Sequence, residues 1–297
     1  MLYERHRGKQ LGGKHRGCGC VLRLILLCLC CWFVLIAVKN GTISDFVQGR
    51  GGWRHVLLMG VDNSGTRNAR TDTMMIASVS TGGKLKLTSI MRDTLVDMGE
   101  RDSHKINAAY TYGGAQLAMN CVNDALGLNI RQYAVVDFHG LADIVDALGG
   151  ITLKVTKAEA RAMNGKKGHP LKSYGEDTLL NGVQVVRFVR LRKIDSDYQR
   201  TGRQRAVVGA IIKKIKGIRD PFRLFGIMKS ALNAIDTNIS APDLMLMALR
   251  VMLEGGDIAQ YRVPAEGTYK SGTFEGVWSI RADLQKNKKL LSEFIYG

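Results

Sequence analysis

Hydrophobic and polar positions follow different rhythms along the chain. Residues 24–38, inside VLRLILLCLCCWFVLIAVKN, form an apolar run with no charged side chain. Beyond it, WRHVLLMGVDNSG reads as a buried strand ending in a turn, and TMMIASVS and KLKLTSIM have strand character on either side of the turn signal TGGK. Residues 106–126, INAAYTYGGAQLAMNCVNDAL, have helical periodicity interrupted by Gly113 and Gly114. AVVDF then gives a strand, HGLADIVDALGG a short helix stopped by glycines, and ITLKV another strand. Residues 157–181 read as polar and irregular, with GKKGHP as a surface loop. Residues 180–192 look helical, and after IDSD a longer helix over 199–216 carries the stripe Val207, Val208, Ile211, Ile212 and Ile215. Helices over 222–235 and 241–254, a short strand QYRVP and a terminal helix near 280–295 complete the series. This alternation predicts an α/β sandwich, with no internal repeat and no interdomain linker.

The first apolar run predicts a membrane anchor. Fifteen residues at ~1.5 Å each fall short of a hydrocarbon core of roughly 30 Å, but Val21, Leu22 and the stem of Arg23 extend the span. Residues 1–23 hold Arg5, Arg7, Lys9, Lys14, Arg16 and Arg23 against Glu4 alone, which keeps the N-terminus in the cytoplasm. A cleaved signal peptide shares this pattern, yet no clean small-x-small site follows Val38. The expected organisation is a cytoplasmic tail over 1–20, a transmembrane helix over 21–38, a linker over 39–52 and an extracytoplasmic domain over 53–297. Of the six cysteines, only Cys121 lies in that domain, so packing and not disulfides must stabilise it.

Charge narrows the ligand class. The chain carries a net charge of +17, and 37 basic against 25 acidic side chains remain beyond residue 23. Such a surface suits lipid phosphates, phosphorylated glycans or anionic wall polymers; an external location argues against nucleic acid. The densest cluster is RFVRLRKIDSDYQRTGRQRAV, residues 187–207, where Asp195 and Asp197 sit among arginines. Arginine's planar fork suits phosphate oxygens, and the early turns of a helix favour an anion. Asp62 ends one strand, Arg70 and Asp72 precede another, and Arg92 and Asp93 end a third, so their charges can converge on one crevice. Asp62, Asp72, Asp93 or Asp195 would supply hard oxygen ligands for Mg²⁺, held jointly with substrate phosphates. No His/Cys cluster suits zinc, and no lysine-bearing phosphate loop is present. The residues point to a phosphate-handling site outside the membrane.

The ordered series VLLMGVD, RTDTMM, LTSIMRDT, HKINAAYTYGG, VVDFHGLADIVDALGGITLKV and LNGVQVVRFVRLRKIDSDYQRTGRQR, over roughly residues 54–216, resembles the LytR-CpsA-Psr family. The resemblance implies a central mixed β-sheet flanked by helices and preceded by one transmembrane helix. It implies an Mg²⁺-dependent transferase of Gram-positive bacteria that moves a glycopolymer, such as teichoic acid or capsular polysaccharide, from a polyprenyl-pyrophosphate carrier to peptidoglycan. Carried onto this chain, the pyrophosphate-binding set is Arg70, Arg92, Arg190, Arg192, Arg200 and Arg203 with Gln204, and Asp72 and Asp93 are the magnesium ligands. Asp72, Arg92, Asp93, Arg190, Asp197 and Arg200 are the catalytic candidates, while Asp62, Lys105, Asn107 and Asp195 are further motif positions. The family's apolar cavity for the lipid tail would be lined by the helix over 106–126 and the stripe on 207–215, for which core packing is the competing explanation. A polyprenyl-pyrophosphate hydrolase and a non-catalytic membrane-anchored regulator are the rival functions. The identity of the polymer is not written in the arginines, which meet only the shared pyrophosphate.

Overall fold

A computed structural model describes residues 52–62, 70–99, 101–165, 170–191, 197–254, 256–274 and 276–297. The apolar run over 21–38, the linker to residue 51, Arg192 and Asp195 lie outside them. Among the described residues no helix is long and apolar enough to cross a membrane.

Among the described residues, twelve strands and eight helices organise around one six-stranded mixed sheet. Its centre is β1 (Trp53–Val61), which pairs antiparallel with β2 (Thr71–Ser80) and parallel with β6 (Gln132–Val136). β2 pairs antiparallel with β3 (Leu85–Ile90), β3 pairs parallel with β10 (Ala259–Val263), and β6 pairs antiparallel with β9 (Ile235–Thr237). The order is therefore β10-β3-β2-β1-β6-β9. Successive side chains of a strand point to opposite faces. On one face Leu57, Met59, Met74, Ile76 and Val135 pack against α1 (Ala109–Leu126) and α8 (Leu284–Tyr296) through Ala118, Val122, Leu291 and Ile295. His55 is buried there between Ser78 and Tyr296, bonded to both at 2.9 and 3.0 Å, and burial lowers its pKa to about 4. Cys121 is a buried free thiol in the same core.

The opposite face meets α2 (Phe138–Ala147), α5 (Asp197–Lys216) and α7 (Ala241–Leu253). Beside it a second core joins α2 and α5 to α3 (Lys157–Asn164), α4 (Gly182–Val189), α6 (Pro221–Ala234) and the antiparallel pair of β7 (Ile151–Val155) with β8 (Gly175–Leu180). The expected helix over 106–126 forms, with a three-residue turn at Ile106–Ala108 and a kink where Gly114 takes φ +61. The expected stop of α2 forms too, with Gly149 and Gly150 at φ +74 and +86.

Within the segment 157–181, read as polar and irregular, α3 and β8 form, while residues 166–169 of the expected GKKGHP loop lie outside the described residues. Thr156 and Glu159 cap α3 reciprocally, so local hydrogen bonds create a helix that polarity had masked. Leu180 belongs to β8, and α4 begins only after Asn181, whose side chain exchanges bonds with Gln184. Two strand pairs were absent from the reading: β4 (Leu95–Met98) with β5 (Arg101–Lys105), and β11 (Tyr269–Phe274) with β12 (Val277–Ala282).

Candidate active site

The helix α5 distributes its residues by the 3.6-residue period. Arg200, Gln204, Val207, Val208 and Ile211 fall on one side and line a cavity of about 270 Å³. Leu58 and Gly60 of β1, Thr73 and Met75 of β2, and Ala134 and Val136 of β6 form its sheet wall. Phe138, Leu141 and Ile144 of α2 form another, and Ile235 closes the end of α6. The interior is apolar, whereas Asp72, Arg190, Arg200 and Gln204 bring polar groups to it. The stripe on α5 thus lines the cavity as expected, through Val207, Val208 and Ile211. The helix over 106–126 does not: α1 packs on the other face of the sheet, where its apolar side completes a closed core.

Beside the cavity, charges alternate along a chain of ion pairs. Lys105 Nζ lies 2.9 Å from Asp93 Oδ1, and the Arg92 guanidinium contacts both Asp93, at 3.5 Å, and Asp72. This chain exists because β2 begins at Thr71 and β3 ends at Ile90, which sets Asp72 and the Arg92-Asp93 pair at the same end of adjacent strands. The turn at Asn107 closes it from behind: its amide donates to the Arg92 carbonyl at 3.2 Å, and its carbonyl accepts from Thr71 Oγ1 at 3.4 Å. Asn107 is itself buried, with its Oδ1 unbonded. Arg190 ends α4, stacks over Phe138 at 4.6 Å and stands 3.8 Å from Asp62. Both members of that last pair are roughly half exposed, so little energy holds them together and the guanidinium is available to a stronger anion.

The sequence-derived set therefore divides. Asp72, Arg190, Arg200 and Gln204 meet at the cavity; Arg92, Asp93, Lys105 and Asn107 stand behind Asp72; Asp62 pairs with Arg190. Arg70 is exposed immediately before β2. Arg203 turns elsewhere: it is buried, donates to the Leu191 carbonyl at 2.9 Å and pairs with Glu159 at 3.3 Å. Asp197 begins α5, and Arg192 and Asp195 lie outside the described residues. The reading missed Glu159, whose reciprocal capping and pairing with Arg203 tie α3 to α5; the signal was TKAE, a capping-box pattern at 156–159.

The donor set suits a hard cation only as a shared site. Among the described residues no group of three or more His, Cys, Asp or Glu converges. Asp72 and Asp93 nevertheless reach one guanidinium, and magnesium commonly takes one or two carboxylates and completes its shell with water and substrate phosphate.

Comparison with known proteins places this geometry. The regulatory protein MsrR of Staphylococcus aureus is 27% identical over 248 residues, 81% of this chain and 73% of its own. The polyisoprenyl-teichoic acid–peptidoglycan teichoic acid transferase TagU of Enterococcus faecalis is 30% identical over 224 residues, 73% of this chain and 72% of its own. Among solved structures, TagV of B. subtilis shares the fold at a TM-score of 0.69 and 24% identity, covering 82% of this chain and 98% of that one. TagT bound to LI-WTA gives 0.67 at 25% identity, with 82% and 91% covered. The family model described as LytR_cpsA_psr matches residues 41–293, and the chain belongs to the LytR-CpsA-Psr family.

Proposed function

We propose that this protein transfers an anionic glycopolymer, of the teichoic acid class, from a polyprenyl-pyrophosphate carrier to peptidoglycan. One observation carries the reading: an apolar cavity meets Arg190, Arg200 and Gln204, so hydrocarbon and phosphate find complementary surroundings in one molecule. The TagU relative's teichoic acid transfer supports the polymer class. The polyprenyl tail occupies the cavity, and the guanidinium groups hold the pyrophosphate. An acceptor hydroxyl of peptidoglycan attacks the glycan-proximal phosphorus, forming the new phosphodiester O–P bond. The P–O bond to polyprenyl phosphate breaks, that group leaves with the electron pair, and the hydroxyl proton passes to a carboxylate, for which Asp62 beside Arg190 is the described candidate. Fixed guanidinium groups at a partly water-excluded site stabilise the charge of this transition state without reorganising.

Asp72 and Asp93 would hold Mg²⁺. When bound, the ion supplies charge neutralisation at the phosphate oxygens. Arg92 and Lys105 keep the two carboxylates in position, and Arg203 orients α5 through Glu159 and Leu191. Residues 21–38 anchor the chain once in the membrane, with residues 53–297 outside the cell.

The test supplies the full-length protein with a polyprenyl-pyrophosphate-linked saccharide and a peptidoglycan oligomer at varied Mg²⁺. Transfer yields a phosphodiester-linked glycan adduct and stoichiometric polyprenyl phosphate, both lost on chelation. Free phosphorylated saccharide without adduct would replace the proposal with hydrolysis; carrier binding without turnover, using teichoic and capsular donors in turn, would replace it with a regulatory binding role.

A further inference from the structure

The start of α6 is built like a surface meant to be covered. Asp220 caps it, its carboxylate accepting from the Phe222 amide at 3.0 Å, with proline following in the first turn. Leu224, Ile227 and Met228 are buried on the core side. The opposite side presents Phe222 and Phe225, 61% and 60% exposed, one helical turn apart, with Gly226 and Lys229 also exposed on that side. Scattered exposed apolar residues are ordinary, but two phenylalanines on one turn of a helix form a patch.

Cations lie beside this patch. Arg219 and Arg223 flank it and also line a groove with Lys213, Lys214 and Lys216. Four carboxylates share that groove; Glu176 is paired with Lys154, and Asp220 serves as the helix cap. Leu179, 59% exposed, extends the apolar edge: a Cβ on Gly150 would stand 3.1 Å from Leu179, and one on Gly149 3.8 Å from Arg223. Exposed aromatic groups at a helix start with arginines and lysines beside them are the composition of an interfacial membrane contact.

We propose that the first turns of α6, with the basic groove beside them, dock on an anionic lipid bilayer. The inference rests on the reading of residues 21–38 as a membrane anchor. The linker over 39–52 spans fourteen residues, a reach of at most roughly 50 Å, so the domain stays beside the bilayer and a weak contact is enough to orient it. The orientation bears on substrate entry. Ile235, the residue after α6, lines the apolar cavity, so one helix of fourteen residues, ~21 Å long, runs from the docking patch to the cavity wall.

The experiment uses the full chain in lipid vesicles with Phe222→p-benzoylphenylalanine or Phe225→p-benzoylphenylalanine, and Lys270→p-benzoylphenylalanine as an exposed control. Irradiation is followed by mass spectrometry of the cross-linked product. Lipid adducts are expected at 222 and 225 in vesicles containing phosphatidylglycerol and not at 270. They should fall roughly tenfold in phosphatidylcholine alone, and as much with Arg219→Glu and Arg223→Glu combined. The lipid arm needs no charge substitution, so a misfolded variant cannot decide the outcome. No adduct, equal adduct in both lipids, or cross-links to a second copy of the chain would each overturn the proposal. Alkaline extraction of the same vesicles reports the anchor separately: a chain that is extracted refutes the anchoring reading, while the adduct yield on phosphatidylglycerol vesicles still decides the docking proposal.

Discussion

The two faces of the central sheet are made from alternate residues of the same strands, yet one is filled throughout and the other holds a cavity beside its packed part. Leu57, Met59 and Ile76 point into a core that α1 and α8 close. Leu58, Gly60, Thr73 and Ala134 point towards α2 and α5 and leave a cavity of about 270 Å³. Small residues at Gly60 and Ala134 are part of the cause, since the helices cannot approach far enough to fill what those side chains omit. The cavity that Arg190 and Arg200 reach therefore lies on the face opposite the closed core. On the function proposed above, the closed face serves stability alone, and the other face combines a packed core with the recognition of substrate.

Arg200→Ala tests the recognition side most directly. Removing a charge-stabilising donor of this kind lowers turnover ~10²–10³-fold, and since Arg200 is buried the melting temperature should also fall by a few degrees. Transfer within twofold of the wild type, measured as kcat/KM, would break the assignment. Substitutions of opposite sense sharpen the contrast. Leu57→Ala on the closed face should destabilise by about 3 kcal/mol while leaving kcat/KM per folded molecule unchanged. Ala134→Phe on the open face should raise KM for the lipid-linked donor roughly tenfold without lowering the melting temperature, because it fills space instead of vacating it. If Ala134→Phe melts early and binds donor normally, the cavity is ordinary core.

Much of this division was legible in the sequence. The stripe at 207–211 and Arg200 announce one side of the cavity, because helical periodicity alone sets which residues of α5 share a face, whereas Arg190, at the end of α4, reaches it only through the fold. The placement of the helix over 106–126 was not legible: its apolar residues suit either face of a sheet, and only the pairing of β1 with β6 and the docking of α8 assign it to the closed one. Arg203 shows the same limit. Three residues from Arg200 in a cluster of like charge, it turns to Glu159, a partner 44 positions away. Long-range pairing of that kind leaves no local trace in spacing.

A smaller effect separates the faces by pH. Burial lowers the His55 pKa from 6.5 to about 4, so between those values the unfolded chain takes up a proton that the folded one refuses. The stability contributed by neutral His55 is complete above pH 6.5 and is lost as pH falls through about 4. Thermal melts should decline progressively over that window, and His55→Gln should flatten the decline specifically. An unchanged slope in that variant would assign the acid sensitivity to other groups.

The smallest expected effect is at Arg205, one residue from Gln204 and pointing away from the cavity. Its guanidinium donates to Ser89 Oγ at 2.9 Å and to Gln260 at 3.3 Å, on the flank of α5 facing β3 and β10. Neither partner lines the cavity, and the bond to Gln260 is exposed, so Arg205→Ala removes weak cross-links and no phosphate contact. Transfer should remain within about twofold, with a stability loss near 1 kcal/mol. The comparison with Arg200→Ala removes net charge as an explanation, because both changes delete one positive charge from the same helix. A loss at Arg205 equal to that at Arg200 would show that the overall basic field, and not the cavity-facing side of α5, holds the pyrophosphate.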